Sequence, residues 1–412
     1  MQYIGIDFGT SNSLASLVKN NKIEFVKYPD GNISNPTILY FPEKSKQHFI
    51  GNDGVHHFLT NLEEHGIGGR LMLSIKSLLP DAKFEQTLVS GHGNQTVEML
   101  VAKFLTALKK MAETQFQQQF DGVVLGRPVQ FNELAVNRLE KAAKLAGFKE
   151  VIFWLEPVAA ALAYETTATK DELVCVVDIG GGTSDICVIE TSPKRSDSPD
   201  RLNDIKAVSG VYQAGDELST QIMMHKLAPK FGAGSTFKSL GKEMPFPTHI
   251  IGKLSKWHRI NLLHDRRDQA IISSILPFSD HAEDIERLLN LIKYYYGFEL
   301  FQAIDTAKKY LSTHKQTVIN FSQLNLLEAI TTAEFEKMIG GVSREIEKAI
   351  SDCLAMAGTN PKNIDRVVLT GGSSQVPLIN RAVIEIFGAE KILRPDFFSS
   401  VATGLGFVAS RF

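Results

Sequence analysis

Cysteine is scarce in this sequence: its 412 residues include three, Cys175, Cys187 and Cys353. The number is odd, the positions are scattered and no pair has CxxC spacing, so neither a zinc site nor a disulfide framework is expected. Cys175 and Cys187 lie in apolar, strand-like runs, where a free cysteine packs as a small hydrophobic side chain. We therefore expect buried, reduced thiols and a cytoplasmic location.

Long hydrophobic runs and an excess of one charge are also missing. No run approaches the length of a membrane span, and the N-terminal residues MQYIGIDFG lack the basic and apolar parts of a signal peptide. The formal net charge of -2 provides no strong field for nucleic acid or an anionic membrane, so neither partner is expected. The composition, 43% hydrophobic and 22% charged, is that of an ordinary globular protein. The chain of 412 residues is long enough for two domains or lobes.

Two common nucleotide-binding signatures are absent as well. The sequence contains no GxxxxGK[ST], which excludes a P-loop, and no GxGxxG that opens a Rossmann unit. It contains instead a short internal repeat. Residues 4–11 (IGIDFGTS) resemble residues 176–183 (VVDIGGGT), since each is an apolar strand followed by aspartate, glycine and a hydroxyl. The two stretches stand about one domain length apart, which predicts two similar lobes facing each other across a cleft.

Strands and helices alternate along the chain, but the first strands are linked by a hairpin at Asn20-Asn21. The predicted class is therefore α/β, with mixed sheets rather than a parallel barrel. Small residues at 158–164 predict close packing of that helix on a neighbour. Residues 232–282 show no readable pattern. Periodicity predicts further helices at 97–119, 132–146, 215–227, 284–312, 332–357, 378–387 and 401–409.

The repeated loops are suited to bind phosphate. Glycines that follow a strand let backbone N–H groups approach phosphate oxygens closely, and hydroxyls add donors at Thr10, Ser11, Thr183 and Ser184. The aspartates Asp7 and Asp178 could hold the water shell of a Mg²⁺ ion that bridges to the phosphates. A third glycine-hydroxyl turn follows at residues 369–374.

Five motifs in this order resemble the ATPase domain of the Hsp70 chaperone family. IGIDFGTSNS is similar to its first phosphate loop, and EPVAAALAYE (156–165) to its first connecting motif. VVDIGGGTSDICV (176–188) resembles the second phosphate loop. IDTAKKYLS (304–312) resembles the adenosine-contacting helix, and TGGSSQVP (370–377) the adenosine-binding turn. Within the family, short bacterial Hsp70-like proteins of YegD type are the most similar subgroup.

The resemblance implies the actin-like ATPase fold of the actin/Hsp70/sugar-kinase superfamily, with two similar lobes of ribonuclease H-like mixed sheets and helices facing across a nucleotide cleft. Lobe I would cover residues 1–170 and lobe II residues 171–412, with a divergent subdomain around 215–330. The implied ligands are ATP or ADP with Mg²⁺, and K⁺ as a further ion. The implied activity is slow hydrolysis of ATP as a conformational switch for a partner protein or co-chaperone, by a monomer.

Family roles carry over to matching positions. Asp7 and Asp178 would orient Mg²⁺ through water, Lys76 would act near the γ-phosphate, and Glu156 would place the attacking water; Thr183 completes the catalytic set. The remaining nucleotide-binding positions are Gly9, Thr10, Ser11, Asn12, Gly180, Gly181, Gly182, Gly215, Asp305, Lys308, Lys309, Ser312, Gly371, Gly372, Ser373 and Gln375. Lys308, Lys309 and Ser312 are predicted to share one helical face.

The sequence also departs from the family pattern. Gln375 stands where an arginine usually stacks on adenine, and Asp305 replaces a longer glutamate. Pro128 resembles the switch proline, but Arg138 lies two residues away from the position of its expected partner. The sequence ends at Phe412 without the linker and peptide-binding domain of full-length relatives, so we expect no peptide binding of its own.

Three other functions stay open. A small-molecule kinase of the same superfamily would use a carboxylate as base, although the EPVAAALAY motif and Lys76 argue against it. A filament-forming ATPase of actin type needs a non-closing interface between subunits, and no apolar surface segment in the sequence indicates one. A pseudo-ATPase that binds nucleotide without hydrolysis would agree with Gln375 and Asp305.

Overall fold

The structure, a computed structural model, describes residues 1–43, 45–66, 69–195, 201–395 and 399–412. The described residues form twenty strands and twelve helices. The strands are β1 (Tyr3–Phe8), β2 (Asn12–Lys19), β3 (Lys22–Phe25), β4 (Asn35–Pro36), β5 (Ile38–Phe41), β6 (Phe49–Ile50), β7 (Arg70–Leu73), β8 (Gln86–Val89), β9 (Gly93–Thr96), β10 (Gly122–Arg127), β11 (Glu150–Leu155), β12 (Glu172–Ile179), β13 (Ser184–Thr191), β14 (Ile205–Val211), β15 (Thr236–Ser239), β16 (Lys242–Pro245), β17 (Gln316–Phe321), β18 (Leu326–Thr331), β19 (Arg366–Thr370) and β20 (Ile392–Leu393). The helices are α1 (Gly51–His65), α2 (Val97–Phe116), α3 (Glu133–Leu145), α4 (Glu156–Glu165), α5 (Gly215–Ile222), α6 (Thr248–Leu254), α7 (Arg266–Ile275), α8 (Ala282–Lys293), α9 (Gly297–Tyr310), α10 (Thr332–Met356), α11 (Pro377–Phe387) and α12 (Ser400–Ala409).

The first large sheet has the strand order β11-β10-β1-β2-β3. Its central strand β1 is antiparallel to β2 and parallel to β10, which in turn is parallel to β11. The predicted hairpin between β2 and β3 is confirmed: Asn20 and Asn21 adopt φ angles of 52° and 58° in its turn. Asparagine tolerates this left-handed conformation better than most residues.

The second large sheet repeats the topology of the first. Its order is β14-β13-β12-β19-β20, with β12 antiparallel to β13 and parallel to β19. Strand β12 therefore takes the place of β1, β13 that of β2, and β19 that of β10. The short sequence repeat that contains Asp7 and Asp178 thus marks equivalent strand-to-loop junctions in two sheets with the same strand order. The predicted mixed α/β class is confirmed.

Equivalent helices follow the last strand of each sheet, α4 after β11 and α12 after β20. They approach so closely that a Cβ added at Gly404 would lie 1.8 Å from the carbonyl oxygen of Ala159. On the other side of α12, a Cβ at Gly5 of β1 would lie 2.4 Å from the carbonyl carbon of Leu405. The close packing predicted from the small residues at 158–164 is confirmed, and its partner is the C-terminal helix.

The described residues form two compact units. Unit 1 comprises Met1–Gly215, Arg344–Gln375 and Ile379–Phe412 and contains both large sheets. Unit 2 comprises Asp216–Ser343 and Val376–Leu378. It contains helices α6 to α9 and the hairpins β15-β16 and β17-β18. The lobe boundary between residues 170 and 171 and the subdomain at 215–330 stay predictions.

The helical prediction at 284–312 is confirmed for two helices, α8 and α9, which are separated by Tyr294, Tyr295 and Tyr296. Tyr295 has a φ of 59°, which a continuous right-handed helix does not allow. Its ring stacks on His264 at 4.1 Å between centroids. The unreadable stretch at 232–282 folds as a hairpin and short helices in unit 2.

The three cysteines are buried and free, as expected. Over the residues that the structure describes, no helix combines the length and the apolar character that crossing a membrane would require. A cytoplasmic location stays a prediction.

We predict that Gly404→Ala lowers the free energy of unfolding by about 3 kcal/mol or more, because the new methyl group has no space against the Ala159 carbonyl. Chemical denaturation measures the change. Gly252→Ala is the matched control, since Gly252 also lies within a helix but has no atom within 4 Å of an added Cβ. The control should be neutral or stabilising by up to about 1 kcal/mol. Equal effects of the two substitutions would contradict the packing argument.

Candidate functional site

The loop between β1 and β2 is held in place by its neighbours in unit 1. Thr37 donates its hydroxyl to the Gly9 carbonyl at 2.8 Å and its backbone N–H to the Ser11 carbonyl at 2.9 Å. Ser74 donates its hydroxyl to the carbonyl of Thr10 at 3.2 Å. The carbonyls of this loop are thereby occupied, and its conformation is fixed before any ligand arrives.

The equivalent loop between β12 and β13 is closed in a similar way. The Gly180 N–H donates to the Thr183 carbonyl at 3.0 Å. The Gly180 carbonyl accepts from the Gly215 N–H at 3.1 Å and from the Ser373 hydroxyl at 2.9 Å. Three predicted binding segments, at Gly180, Gly215 and Ser373, therefore meet at one carbonyl.

The two loops lie against each other without space for a side chain. A Cβ added at Gly181 would lie 2.1 Å from the Ser11 hydroxyl oxygen, and one at Gly182 would lie 2.6 Å from that of Thr10. A larger residue at 181 or 182 would therefore displace the Ser11 or Thr10 side chain. The structure brings together the pair of loops that the sequence repeat singled out.

Four carboxyl groups gather beneath these loops. Asp7 lies near the end of β1, and Asp178 lies near the end of β12, directly opposite Asp185 on β13. Glu156 opens helix α4. Burial, together with the nearby negative charge of Glu156, raises the pKa of Asp7 and of Asp185 to about 7 and that of Asp178 well above its ordinary value.

Lys76 is buried, with 2% of its surface exposed, which excludes the alternative that it is a solvated surface lysine. It lies in a 3-10 turn, Ile75–Leu78, that follows Ser74. Its ammonium group is 2.6 Å from Oε1 of Glu156 and 5.5 Å from the centroid of the Phe131 ring. Lys76 and Glu156, eighty residues apart, form one buried ion pair.

The charge balance of this site favours a cation. Four carboxyl groups face one lysine, and burial first, then the negative charge of Glu156, raises the pKa of the three aspartates. Within the described part of the chain, no three His, Cys, Asp or Glu side chains converge as direct metal ligands. A metal bound here would keep its water shell, which is the usual behaviour of Mg²⁺. The residues therefore fit a hydrated divalent ion.

The third glycine turn of the predicted site also lies in unit 1. Gly371 has a φ of 80°, and a Cβ added there would lie 2.7 Å from Oδ1 of Asp178. A 3-10 turn follows at Gly372–Gln375, in which the Ser374 hydroxyl donates to the Gly371 carbonyl at 2.7 Å. Gln375 is exposed at the end of this turn.

The predicted nucleoside contacts at 305–312 belong to unit 2. The ammonium groups of Lys308 and Lys309 lie 2.8 and 2.7 Å from the two carboxylate oxygens of Asp305. Burial acts to raise the pKa of Asp305, but these two lysines hold it below its ordinary value. Ser312 lies two residues beyond the end of α9 at Tyr310, so its place on the helical face of the lysines stays a prediction. The Leu311 N–H already closes the last turn on the Ala307 carbonyl.

Asp185 was not among the predicted site residues. It faces Asp178 across the β12-β13 hairpin, accepts a hydrogen bond from the Val129 N–H at 2.6 Å and is also bonded by Thr183. One signal could have identified it: Asp178 and Asp185 are placed symmetrically about a tight strand-loop-strand turn, and such residues face each other across a hairpin. Thr37 and Phe131 have no comparable local signal.

A family model described as Hsp70 protein matches residues 3–194 and 288–410. The two matched segments cover well over half of the sequence and include both strand-loop repeats, Lys76, Glu156, helix α9 and the third glycine turn. The unmatched stretch between them contains β14, Gly215 and the first half of unit 2.

We predict that Mg²⁺ binds more tightly as the pH rises through about 7. Asp7 and Asp185 are largely protonated below that pH, and an approaching cation must displace the protons. As the pH is lowered below about 7, the apparent affinity for Mg²⁺ should fall by up to about tenfold per pH unit for each proton displaced. Above neutrality the affinity should level off. Calorimetric titration with Mg²⁺ on either side of neutrality measures the slope.

The slope should flatten in Asp7→Asn and Asp185→Asn. Asp352→Asn, at an exposed carboxylate paired with Lys348, is the control and should leave the slope unchanged. An affinity that is the same across this range in the unaltered protein would contradict the assignment of the aspartates to the ion.

Proposed function

This chain belongs to the Hsp70 protein family, and from that premise we propose that it binds ATP and ADP with Mg²⁺ and slowly hydrolyses ATP as a conformational switch. The observation that supports the proposal is the contact of two glycine loops, at Thr10-Ser11 and Gly181-Gly182. A buried cluster of four carboxyl groups and one lysine lies beneath them.

The two loops would bind the phosphates. Their carbonyls are already hydrogen bonded to Thr37, Ser74 and Ser373, so the loops need little reorganisation to present N–H groups and hydroxyls to an anion. Gly9, Asn12 and Thr183 complete this cradle in the proposal. Preformed hydrogen-bond donors contribute more to binding than flexible ones, because the entropy cost of ordering them was already met when the protein folded.

Asp7 and Asp178, with Asp185, would hold a hydrated Mg²⁺ ion next to the phosphates, and K⁺ could occupy the same acidic environment. The metal ion supplies neutralisation of phosphate charge. The carboxylates supply acceptors for its water ligands. Their raised pKa values in the ligand-free protein indicate sites where added positive charge is favourable.

Lys76 and Glu156 would have complementary roles. Without nucleotide, the lysine is neutralised by the glutamate at 2.6 Å. A terminal phosphate competes for the same ammonium group, and a released Glu156 can orient a water molecule. A carboxylate is a weak base, so we expect slow turnover, as suits a switch whose nucleotide state is read by another protein.

In unit 1, Gly215 and the turn of Gly371, Gly372, Ser373 and Gln375 would contact the nucleoside. In unit 2, Asp305, Lys308, Lys309 and Ser312 stay predicted nucleoside contacts. Gln375 is exposed and can pack its planar amide on a base, though without the cation of an arginine.

We propose that a partner protein or co-chaperone binds differently to the ATP and ADP states. We also propose that the protein is monomeric and cytoplasmic.

Calorimetry with ATP in the presence and absence of Mg²⁺ tests the central proposal. We expect binding that requires Mg²⁺ and is weakened by Asp178→Asn. A turnover assay with ATP, GTP and candidate sugars separates hydrolysis from transfer to a hydroxyl, and sedimentation with and without nucleotide detects filaments. Absence of ATP binding would refute the proposal, and binding without turnover would identify a pseudo-ATPase.

We predict that Lys76→Ala keeps nucleotide binding within about threefold but lowers turnover by about 100-fold or more, because the lysine stabilises charge that develops during the reaction. Single-turnover assays and calorimetry measure the two effects. Lys83→Ala, at an exposed lysine in the same segment, is the control and should change neither. Thermal melting verifies that the variant is folded. An unchanged turnover rate would remove Lys76 from the mechanism.

A further inference from the structure

Arg138 on helix α3 makes an unusual set of contacts. Its guanidinium group binds no carboxylate among the described residues and donates instead to backbone carbonyls of one short segment. Nη1 lies 3.4 Å from the oxygen of Leu78, 3.1 Å from that of Leu79 and 2.9 Å from that of Asp81, and Nη2 lies 2.9 Å from that of Phe84. One cation thus gathers four carbonyls.

The segment that Arg138 holds, residues 78–84, has little backbone structure of its own. It forms the tight turns Asp81 N–H to Leu78 carbonyl at 3.2 Å and Phe84 N–H to Asp81 carbonyl at 3.1 Å, but it joins no sheet. The planar guanidinium has five donors in a fixed fork. It therefore supplies a rigid centre around which this irregular segment is ordered.

This segment directly follows the turn that carries Lys76. On its N-terminal side, the turn is attached to the first phosphate loop by the hydrogen bond from Ser74 to Thr10. On its C-terminal side, the Leu79 N–H donates to the Lys76 carbonyl at 3.1 Å, and the next fixed point is Arg138 at Leu78 and Leu79. The backbone on both sides of Lys76 is therefore held by hydrogen bonds. Ser74 holds the N-terminal side and Arg138 the C-terminal side.

We propose that Arg138 is a positioning residue for Lys76: by holding the carbonyls of residues 78–84, it keeps the ammonium group at the carboxyl cluster. Arg138 itself lies one segment away from the reacting atoms and acts through the backbone. The inference deepens the proposed ATPase function and rests on it for its effect on turnover. It also gives Arg138 a role that differs from that of a partner for Pro128.

The position of Lys76 can be measured without nucleotide. Lys76 is 2% exposed and should acetylate slowly with acetic anhydride, as quantified by mass spectrometry. In Arg138→Met, which keeps the apolar stem and removes the fork, we expect Lys76 to react about fivefold faster or more, with faster amide exchange confined to residues 75–84, because an unclamped irregular segment opens locally. Lys144→Met is the matched control, since Lys144 lies on the same helix in an exposed pair with Glu140.

The effect on turnover is a separate measurement. In Arg138→Met we expect kcat to fall by about tenfold or more while the dissociation constant for ATP stays within about threefold, because a displaced catalytic group affects the reaction more than binding. Arg138→Lys retains the charge but not the fork, and it should give intermediate values of reactivity, exchange and kcat.

The outcomes are distinguishable. Unchanged Lys76 reactivity and unchanged exchange at 75–84 in folded Arg138→Met would overturn the proposal, as would an exchange increase spread evenly over the chain. If Arg138→Met does not fold, the same two measurements on Arg138→Lys decide between the outcomes. If the unaltered protein does not hydrolyse ATP, the proposed function fails, while acetylation and exchange still test the clamp.

Discussion

The close contact between helices α4 and α12 is the constraint on which unit 1 depends. Gly404 faces the Ala159 carbonyl with no space for a methyl group, and Gly5 leaves no space for one on the other side of α12. Because each helix follows the last strand of one sheet, this contact sets the spacing between the two sheets. The same spacing brings the strand ends near enough for Gly181 and Gly182 to touch Ser11 and Thr10. Glycine is thus required by backbone approach at the helix pair, whereas at the loops an added Cβ would meet the side-chain hydroxyls of Ser11 and Thr10.

The spacing has an electrostatic consequence. It places Asp7, Asp178, Asp185 and Glu156 around a single ammonium group, and burial keeps three of these carboxyl groups protonated at higher pH than usual. The folded, ligand-free protein therefore binds more protons than the unfolded chain between about pH 4 and pH 7, so this cluster contributes less stability as the pH rises through that range. A bound cation reverses the imbalance. Ligand binding and the stability of unit 1 should accordingly be coupled.

Local features of the sequence predicted much of this arrangement. The strands that end in Asp7 and Asp178, the hairpin at Asn20-Asn21 and the small-residue helices follow from periodicity and turn chemistry. The prediction that Lys76 and Glu156 belong to the site depended on a family resemblance, and their ion pair was not predicted, because no local pattern links residues eighty positions apart. The break at Tyr295 was missed since its left-handed φ accompanies a tertiary contact with His264. The sequence related Arg138 only to the family's partner of the switch proline. Its hydrogen bonds go instead to residues 78–84, an irregular segment with no hydrophobic periodicity that could have predicted them.

Gly215 shows how the constraint extends beyond the family match. The matched segments end at residue 194 and resume at 288, so Gly215 lies outside them. It nevertheless donates to the Gly180 carbonyl, and a Cβ at this position would lie 2.5 Å from the Ser373 hydroxyl oxygen. A Cβ at 215 would therefore meet a hydroxyl group of another segment, as it would at Gly181 and Gly182. The same steric limit thus applies at positions inside and outside the family match.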